Sequence, residues 1–177
     1  QRHTAAALYH RATRDPLTGL LNRATFEERA RERLAGEETD LSLIYIDLDH
    51  FKRVNDSASH VAGDDMIRSV GDLISAEFGD DALVARTGGD EFAVLVPVTE
   101  PSAIACGRRV LGSIDALRIQ WQEQLLSAAA SIGIAHSVAP HTEFDRLLSL
   151  ADAACFAAKE YGGNRLIAAS REGDELK

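Results

Sequence analysis

Residues 82–97, ALVARTGGDEFAVLVP, set two apolar runs on either side of a short polar break. The pair Gly88-Gly89 suits a tight turn, so the strands expected at 82–86 and 92–97 fold back on each other as a hairpin. Its tip carries two acids, Asp90 and Glu91. On its own such a tip is also a common solvated turn, and the rest of the chain must decide what the acids are for.

Around the hairpin, elements of both types are interleaved. A helix is expected over about Ala24–Ala35, with Phe26, Ala30 and Leu34 on one side. LSLIYID (41–47) alternates and is rich in β-branched and aromatic residues, so it reads as a central strand. Met66, Ile67, Val70, Leu73, Ile74 and Phe78 recur at the helical period within a helix from about His60 to Phe78. A helix over about Pro101–Leu117, a strand near 127–136, a helix at 143–160 and a strand at 164–168 complete the order. Hairpins alternating with helices predict an α+β fold with a mainly antiparallel central sheet, rather than a doubly wound parallel one. Asp15-Pro16-Leu17-Thr18-Gly19 breaks the chain before the first of these elements. Residues 1–14 are expected to end a connector helix from an upstream sensor or regulatory domain. One domain then covers 15–170, with a tail at 171–177.

Composition narrows the function. The chain has 177 residues, 45% of them hydrophobic, enough for one substantial core. A net charge of −9 argues against a broad surface for DNA or RNA. Cys106 and Cys155 lie in apolar helical patterns with neither disulfide nor metal-ligand spacing, so they are expected to be buried thiols in a reducing cytoplasm. No apolar run approaches the roughly 20 residues of a membrane span, although a longer parent could still be membrane-anchored.

Chemistry concentrates at the end of the central strand, DLDHFKRVND (47–56), and at the hairpin tip. An acid in a strand patterned for burial is costly without a partner. If the hairpin pairs beside this strand, Asp90 and Glu91 approach Asp47. Three acids with no cysteine or histidine favour Mg²⁺ or Mn²⁺ over zinc. Asp49 can be read either as a helix N-cap or as a further ligand, and Lys52 as a surface lysine.

ARTGGDEF, with DLDHFKRVND, Gly63-Asp64, the opening DPLTGLLNR (15–23), SIGIA (131–135) and ADAACFAAKEYGGNR (151–165), resembles the GGDEF domain of diguanylate cyclases. The resemblance implies a palm-like sheet related to nucleotidyl cyclase and polymerase palms. It implies a nucleotidyltransferase that condenses two GTP into cyclic di-GMP as a homodimer, each subunit presenting one GTP. By the same resemblance Asp47, the Leu48 carbonyl and Asp90 hold two Mg²⁺ ions, and Glu91 helps deprotonate the attacking 3′-hydroxyl. Asp90 and Lys52 join it in catalysis. Asn55 and Asp64 read guanine. Lys52 and Lys159 contact phosphates with backbone N–H groups around His50 and Phe51, and Arg165 is a further possible phosphate contact. Asp64 also has a plainer reading as a charge near a helix N-terminus.

Departures from the family pattern accompany these matches. Ser59-His60 stands where a glycine usually precedes histidine, Gly163 where an arginine often follows the phosphate lysine, and Phe156 where the family has tyrosine. An arginine and aspartate that form an inhibitory product site in many relatives are replaced by Gly79 and Ala82, so no such site is expected. A catalytically silent nucleotide- or partner-binding module is the alternative, and the intact tip argues against it.

Overall fold

The computed structural model describes residues 12–36, 40–137 and 142–169. The expected connector falls largely on residues 1–11, and the tail 171–177 entirely, outside the described residues. In chain order the elements are α1 (Arg23–Leu34), β1 (Ser42–Leu48), α2 (Phe51–Ser57), α3 (His60–Glu77), β2 (Leu83–Arg86), β3 (Glu91–Val96), α4 (Glu100–Ala116), β4 (Arg118–Trp121), β5 (Gln124–Ser127), β6 (Ala130–His136), α5 (Phe144–Glu160) and β7 (Arg165–Ala168). A five-stranded sheet runs β2-β3-β1-β6-β7, antiparallel except for the β6–β7 pair, and β4–β5 forms a separate ribbon. The fold is therefore α+β with helices on both faces of a mainly antiparallel sheet.

β1 is central because its side chains can be buried on both sides. Ile44, Ile46 and Leu48 join Met66, Ile67, Val70 and Ile74 of α3 and Val110 and Ile114 of α4 in one core. Leu43 belongs to the other core, with Phe26, Ala30 and Leu34 of α1 and Phe144, Leu147 and Ala151 of α5. Strand alternation thus sends the two apolar sets to opposite faces. Asp47 shares its parity with Leu43, so it points to the α1/α5 face. α5 lies unusually close to β6, because a Cβ at Gly133 would collide with the Ala151 carbonyl and the Cys155 amide. The glycine of SIGIA is what lets that helix approach.

Caps set the helix ends. Asn22 Oδ1 accepts from the Thr25 amide at 3.0 Å, and Ser59 Oγ accepts from the Ala62 amide at 3.1 Å. Ser59 is thus a helix cap.

Two segments depart from the sequence reading. Residues 51–57 form a short helix to which the sequence reading assigned no element, entered through His50 in the left-handed region at φ 56. Residues 118–127 form the β4–β5 ribbon, and the strand expected near 127–136 begins only at Ala130. The ribbon turns at Gln122 (φ 52) without any glycine, so the usual turn signal is missing.

Candidate active site

The register of the central strands assembles the site. Asp47 lies opposite Glu91 of β3 on one side and Ser131 of β6 on the other. One residue on, the Leu48 amide donates to the Asp90 carbonyl at 3.1 Å, holding the hairpin tip against the end of β1. The tip is closed by the Thr87 amide, which donates to the Glu91 carbonyl at 2.9 Å. Arg86 adds a brace from the side: its Nη2 donates to the Gly89 carbonyl at 2.7 Å while Nη1 faces Asp15 at 3.3 Å. Sequence reasoning gave Asp15 a turn and Arg86 no role. Their pairing spans 71 positions, and no local pattern announces it.

Asp47 is 14% exposed, and its Oδ1 lies 2.7 Å from Lys159 Nζ at the end of α5. The contact is an ion pair rather than an aligned hydrogen bond, since the buried Oδ1 has no hydrogen-bond partner of acceptable geometry. Burial holds the Asp47 carboxyl above the usual carboxylate range; Lys159 opposes this, while Asp90 and Glu91 reinforce it. For Lys159, burial pulls downward, but Asp47 foremost outweighs it and raises its pKa, with smaller contributions from Cys155 and Asp90. Both partners shift upward because at Asp47 burial, reinforced by the Asp90 and Glu91 charges, outweighs the ammonium, whereas at Lys159 the neighbouring acid charge outweighs burial.

Glu91 turns back along the hairpin. Its carboxylate occupies the space where a Cβ on Gly88 would stand, so a side chain there would push the end of Glu91 aside. Burial first, and then the Glu91 charge, push the Tyr45 phenol upward. Consequently, among the described residues, no three His, Cys, Asp or Glu side chains gather closely enough to hold a metal. The expected convergence holds for the backbone of Asp47, Asp90 and Glu91, whereas the side-chain contact of Asp47 is with Lys159. The donor set nonetheless fits a hard cation. A buried Asp47 oxygen without an aligned partner, near the Asp90 and Glu91 charges and offset by the single ammonium of Lys159, offers oxygen donors with surplus negative charge.

Cys155 is buried, and its thiol donates to the Ser131 carbonyl at 3.2 Å. Burial, with the Asp47 charge second, pushes the thiol up to about 12, so it packs as a neutral group.

The remaining candidates lie just past β1. His50 and Lys52 are exposed, and Phe51 is half-buried against the core beside α3. Asn55 on α2 reaches over Gly63 of α3, where a Cβ would collide with its Oδ1. The half-buried amide of Asn55 therefore sits beside the residue preceding Asp64, whose carboxylate is exposed. Arg165 opens β7, exposed, with its Nε donating to the Gly163 carbonyl at 3.2 Å. Gly79 and Ala82 lie in the turn before β2, linked by a 3.1 Å bond from the Ala82 amide to the Gly79 carbonyl. Asp49 is not the cap of α2, which begins after His50; its carboxylate is bonded to Ser131 and to Asn164.

Comparison with known proteins places this geometry. Residues 12–165 match the family described as "Diguanylate cyclase, GGDEF domain". The chain is 34% identical over 163 residues to the probable diguanylate cyclase DgcE of Escherichia coli, covering 90% of this chain and 15% of that protein. It is 36% identical over 166 residues to diguanylate cyclase DgcP of Pseudomonas aeruginosa, covering 88% and 24%. A Shewanella oneidensis protein named cyclic di-GMP phosphodiesterase PdeB is 37% identical over 160 residues, covering 90% and 19%. The chain thus spans 15–24% of the length of these relatives. Among solved structures, the coiled coil and GGDEF domain of DgcB from Caulobacter crescentus, in complex with c-di-GMP, superimposes with a TM-score of 0.89 at 28% identity, covering 95% of this chain and 91% of that one. Diguanylate cyclase SiaD of Pseudomonas aeruginosa, in complex with its activator SiaC, gives 0.84 at 32% identity, covering 95% and 66%. A sheet that presents Asp47 opposite the acid-tipped hairpin, matched along nearly its whole length, makes this chain a member of the GGDEF domain family of diguanylate cyclases.

Proposed function

We propose that this domain is an active diguanylate cyclase, condensing two GTP into cyclic di-GMP with release of pyrophosphate. The observation that carries the reading is the β1–β3 register, which sets Asp47 opposite Glu91 and seats the Asp90 backbone on Leu48. Asp47, the Leu48 carbonyl and Asp90 would hold two Mg²⁺ (or Mn²⁺) ions, which when bound neutralise the triphosphate and the developing charge on the leaving pyrophosphate.

The chain's own groups supply the rest. Glu91 takes up the proton of the attacking 3′-hydroxyl, assisted by the nearby Asp90. Lys52 and Lys159 meet phosphate oxygens, with the backbone N–H groups of His50 and Phe51 lining the turn and Arg165 available from β7. Asn55 and Asp64 read guanine, since a carboxylate accepts from N1–H and the exocyclic amine together, and adenine offers no such pair. One subunit holding one GTP cannot close the ring, because each 3′-hydroxyl must reach the other nucleotide's α-phosphate. The active species is therefore a homodimer with two sites facing each other.

The test is incubation of the purified domain with GTP and Mg²⁺, followed by chromatography. Cyclic di-GMP is the expected product. GTP binding without product would leave a silent nucleotide-binding module, and failure to bind GTP would refute both readings.

A further inference from the structure

Asp49 is used neither by the proposed metal set nor by the base contacts, yet both of its oxygens are engaged. Oδ1 accepts from the hydroxyl of buried Ser131 at 2.7 Å, and Oδ2 accepts from the Asn164 amide at 2.7 Å. Ser131 is also the register partner of Asp47. Asn164 follows the turn that ends α5, and that turn has a defined shape. The Gly162 amide donates to the Lys159 carbonyl and the Gly163 amide to the Ala158 carbonyl, each at 3.0 Å. Gly162, Gly163 and Asn164 all carry positive φ, at 109, 72 and 47. Asn164 Nδ2 then donates to Asp115 of α4 at 3.0 Å.

Two links therefore join the end of β1 to the end of α5. One is the Asp47–Lys159 ion pair, and the other is the Asp49–Asn164 hydrogen bond. A lysine stem has four flexible carbons, and helix ends fray, so the ion pair alone leaves the ammonium loosely placed. The second link fixes the backbone from which that stem springs.

Gly163 belongs to the same device. A Cβ there would stand 2.8 Å from Asp49 Oδ2, and a φ of 72 strains any L side chain. The arginine that the resemblance leads one to expect at this position would have to displace the carboxylate.

We propose that Asp49 is a positioning residue: it clamps the α5–β7 turn to the end of β1 and so fixes Lys159 for the triphosphate, with Gly163 kept bare to let the carboxylate reach Asn164. The proposal rests on the reading of Lys159 as a phosphate contact.

Three variants separate clamp from charge. Asp49→Asn can still accept from the Asn164 amide through its carbonyl and donate to the Ser131 hydroxyl through its amide, without charge. Asp49→Ala can do neither, and Gly163→Arg adds a cation while crowding the carboxylate. Each is examined for hydrogen exchange of the Asn164 amide, for the NMR signal of the Lys159 Cε, and for affinity toward a nonhydrolysable GTP analogue with Mg²⁺. In Asp49→Ala the amide is expected to exchange faster, the Cε signal to move, and affinity to fall about tenfold, as for a displaced binding group. Asp49→Asn should stay within about twofold of the parent, since the geometry is retained. Gly163→Arg should follow the alanine variant, and Asp49→Ala combined with Gly163→Arg should lose less than the sum of the two. Asp49→Asn as damaging as Asp49→Ala would overturn the proposal in favour of a charge or ligand role. An unmoved Asn164 amide and Lys159 signal in Asp49→Ala would also overturn it. A parent domain that fails to bind the analogue would sink the nucleotide reading instead, and the two NMR signals would still decide the clamp.

Discussion

Lys159 Nζ lies 2.7 Å from Asp47 Oδ1, so the last turn of α5 reaches the acid that β1 carries at its end. The lysine gains from the pair, whereas Asp47 remains costly because it is buried and faces Asp90 and Glu91. Such an arrangement is poor for stability and suited to a site that takes up cations.

Asp47→Asn should therefore separate function from folding. Turnover is expected to fall by roughly 10³ or more, the scale on which removing a preorganised electrostatic group acts. Mg²⁺-dependent GTP binding should weaken with it, while the melting temperature without metal should not drop. Full activity in this variant would refute the proposed metal set, and a collapse in melting temperature would mean that the ion pair holds the fold.

Base selection is expected to reside in the α2–α3 corner, where Asn55 lies over Gly63 beside Asp64. The parent enzyme should prefer GTP to ATP, by up to about 10⁴-fold where buried hydrogen bonds decide. Asp64→Ser should erase most of that ratio, with a smaller effect on turnover of GTP at saturation. Comparing kcat/KM for both nucleotides measures it, and equal acceptance by the parent would contradict the assignment.

The Asp15–Arg86 pair gives a pH signature. Burial alone would raise the Asp15 carboxyl, but hydrogen bonds from the Thr18 amide and hydroxyl, with Arg86, bring it below its ordinary value. A depressed folded pKa means that the unfolded chain binds the proton more readily. The stabilisation is then present above the ordinary carboxylate pKa of about 4 and is lost as pH falls through the folded value. Asp15→Asn should cost roughly 1 kcal/mol at neutral pH, as expected for hydrogen bonds to a charged, partly buried group. In urea melts the gap should close in acid. A gap that stays constant with pH would assign the effect to packing.

Cyclic di-GMP should not bind at the turn before β2. Gly79 is exposed with open space around it, Ala82 has no polar side chain, and Asp80 and Asp81 bring negative charge toward a dianion, while the Arg33 guanidinium at this turn is already engaged by the Asp81 carbonyl. Calorimetry with the active site blocked by a GTP analogue should therefore register no micromolar binding. Heat surviving the block would reveal another inhibitory site.

Much of this could be read from the chain itself. Alternation made 41–47 a two-sided strand, the helical period placed α3 and α5, and Gly88-Gly89 made a hairpin whose acids had to lie at one end of the sheet. Those features depend on residues adjacent in sequence, where backbone geometry and side-chain period act directly. Tertiary packing decided the rest. Asp49 bonds to residues 82 and 115 positions away, and its reading as a helix cap gave way to hydrogen bonds with Ser131 and Asn164. Glu91 turned toward Gly88 rather than Asp47, and Lys159 took the place beside that acid. Helix α2 and the β4–β5 ribbon formed where local signals were weak, with Phe51 and Trp121 packed against the main core. The partners of a charged side chain are set by which distant elements the packed core brings alongside it, and no local pattern in the sequence carries that information.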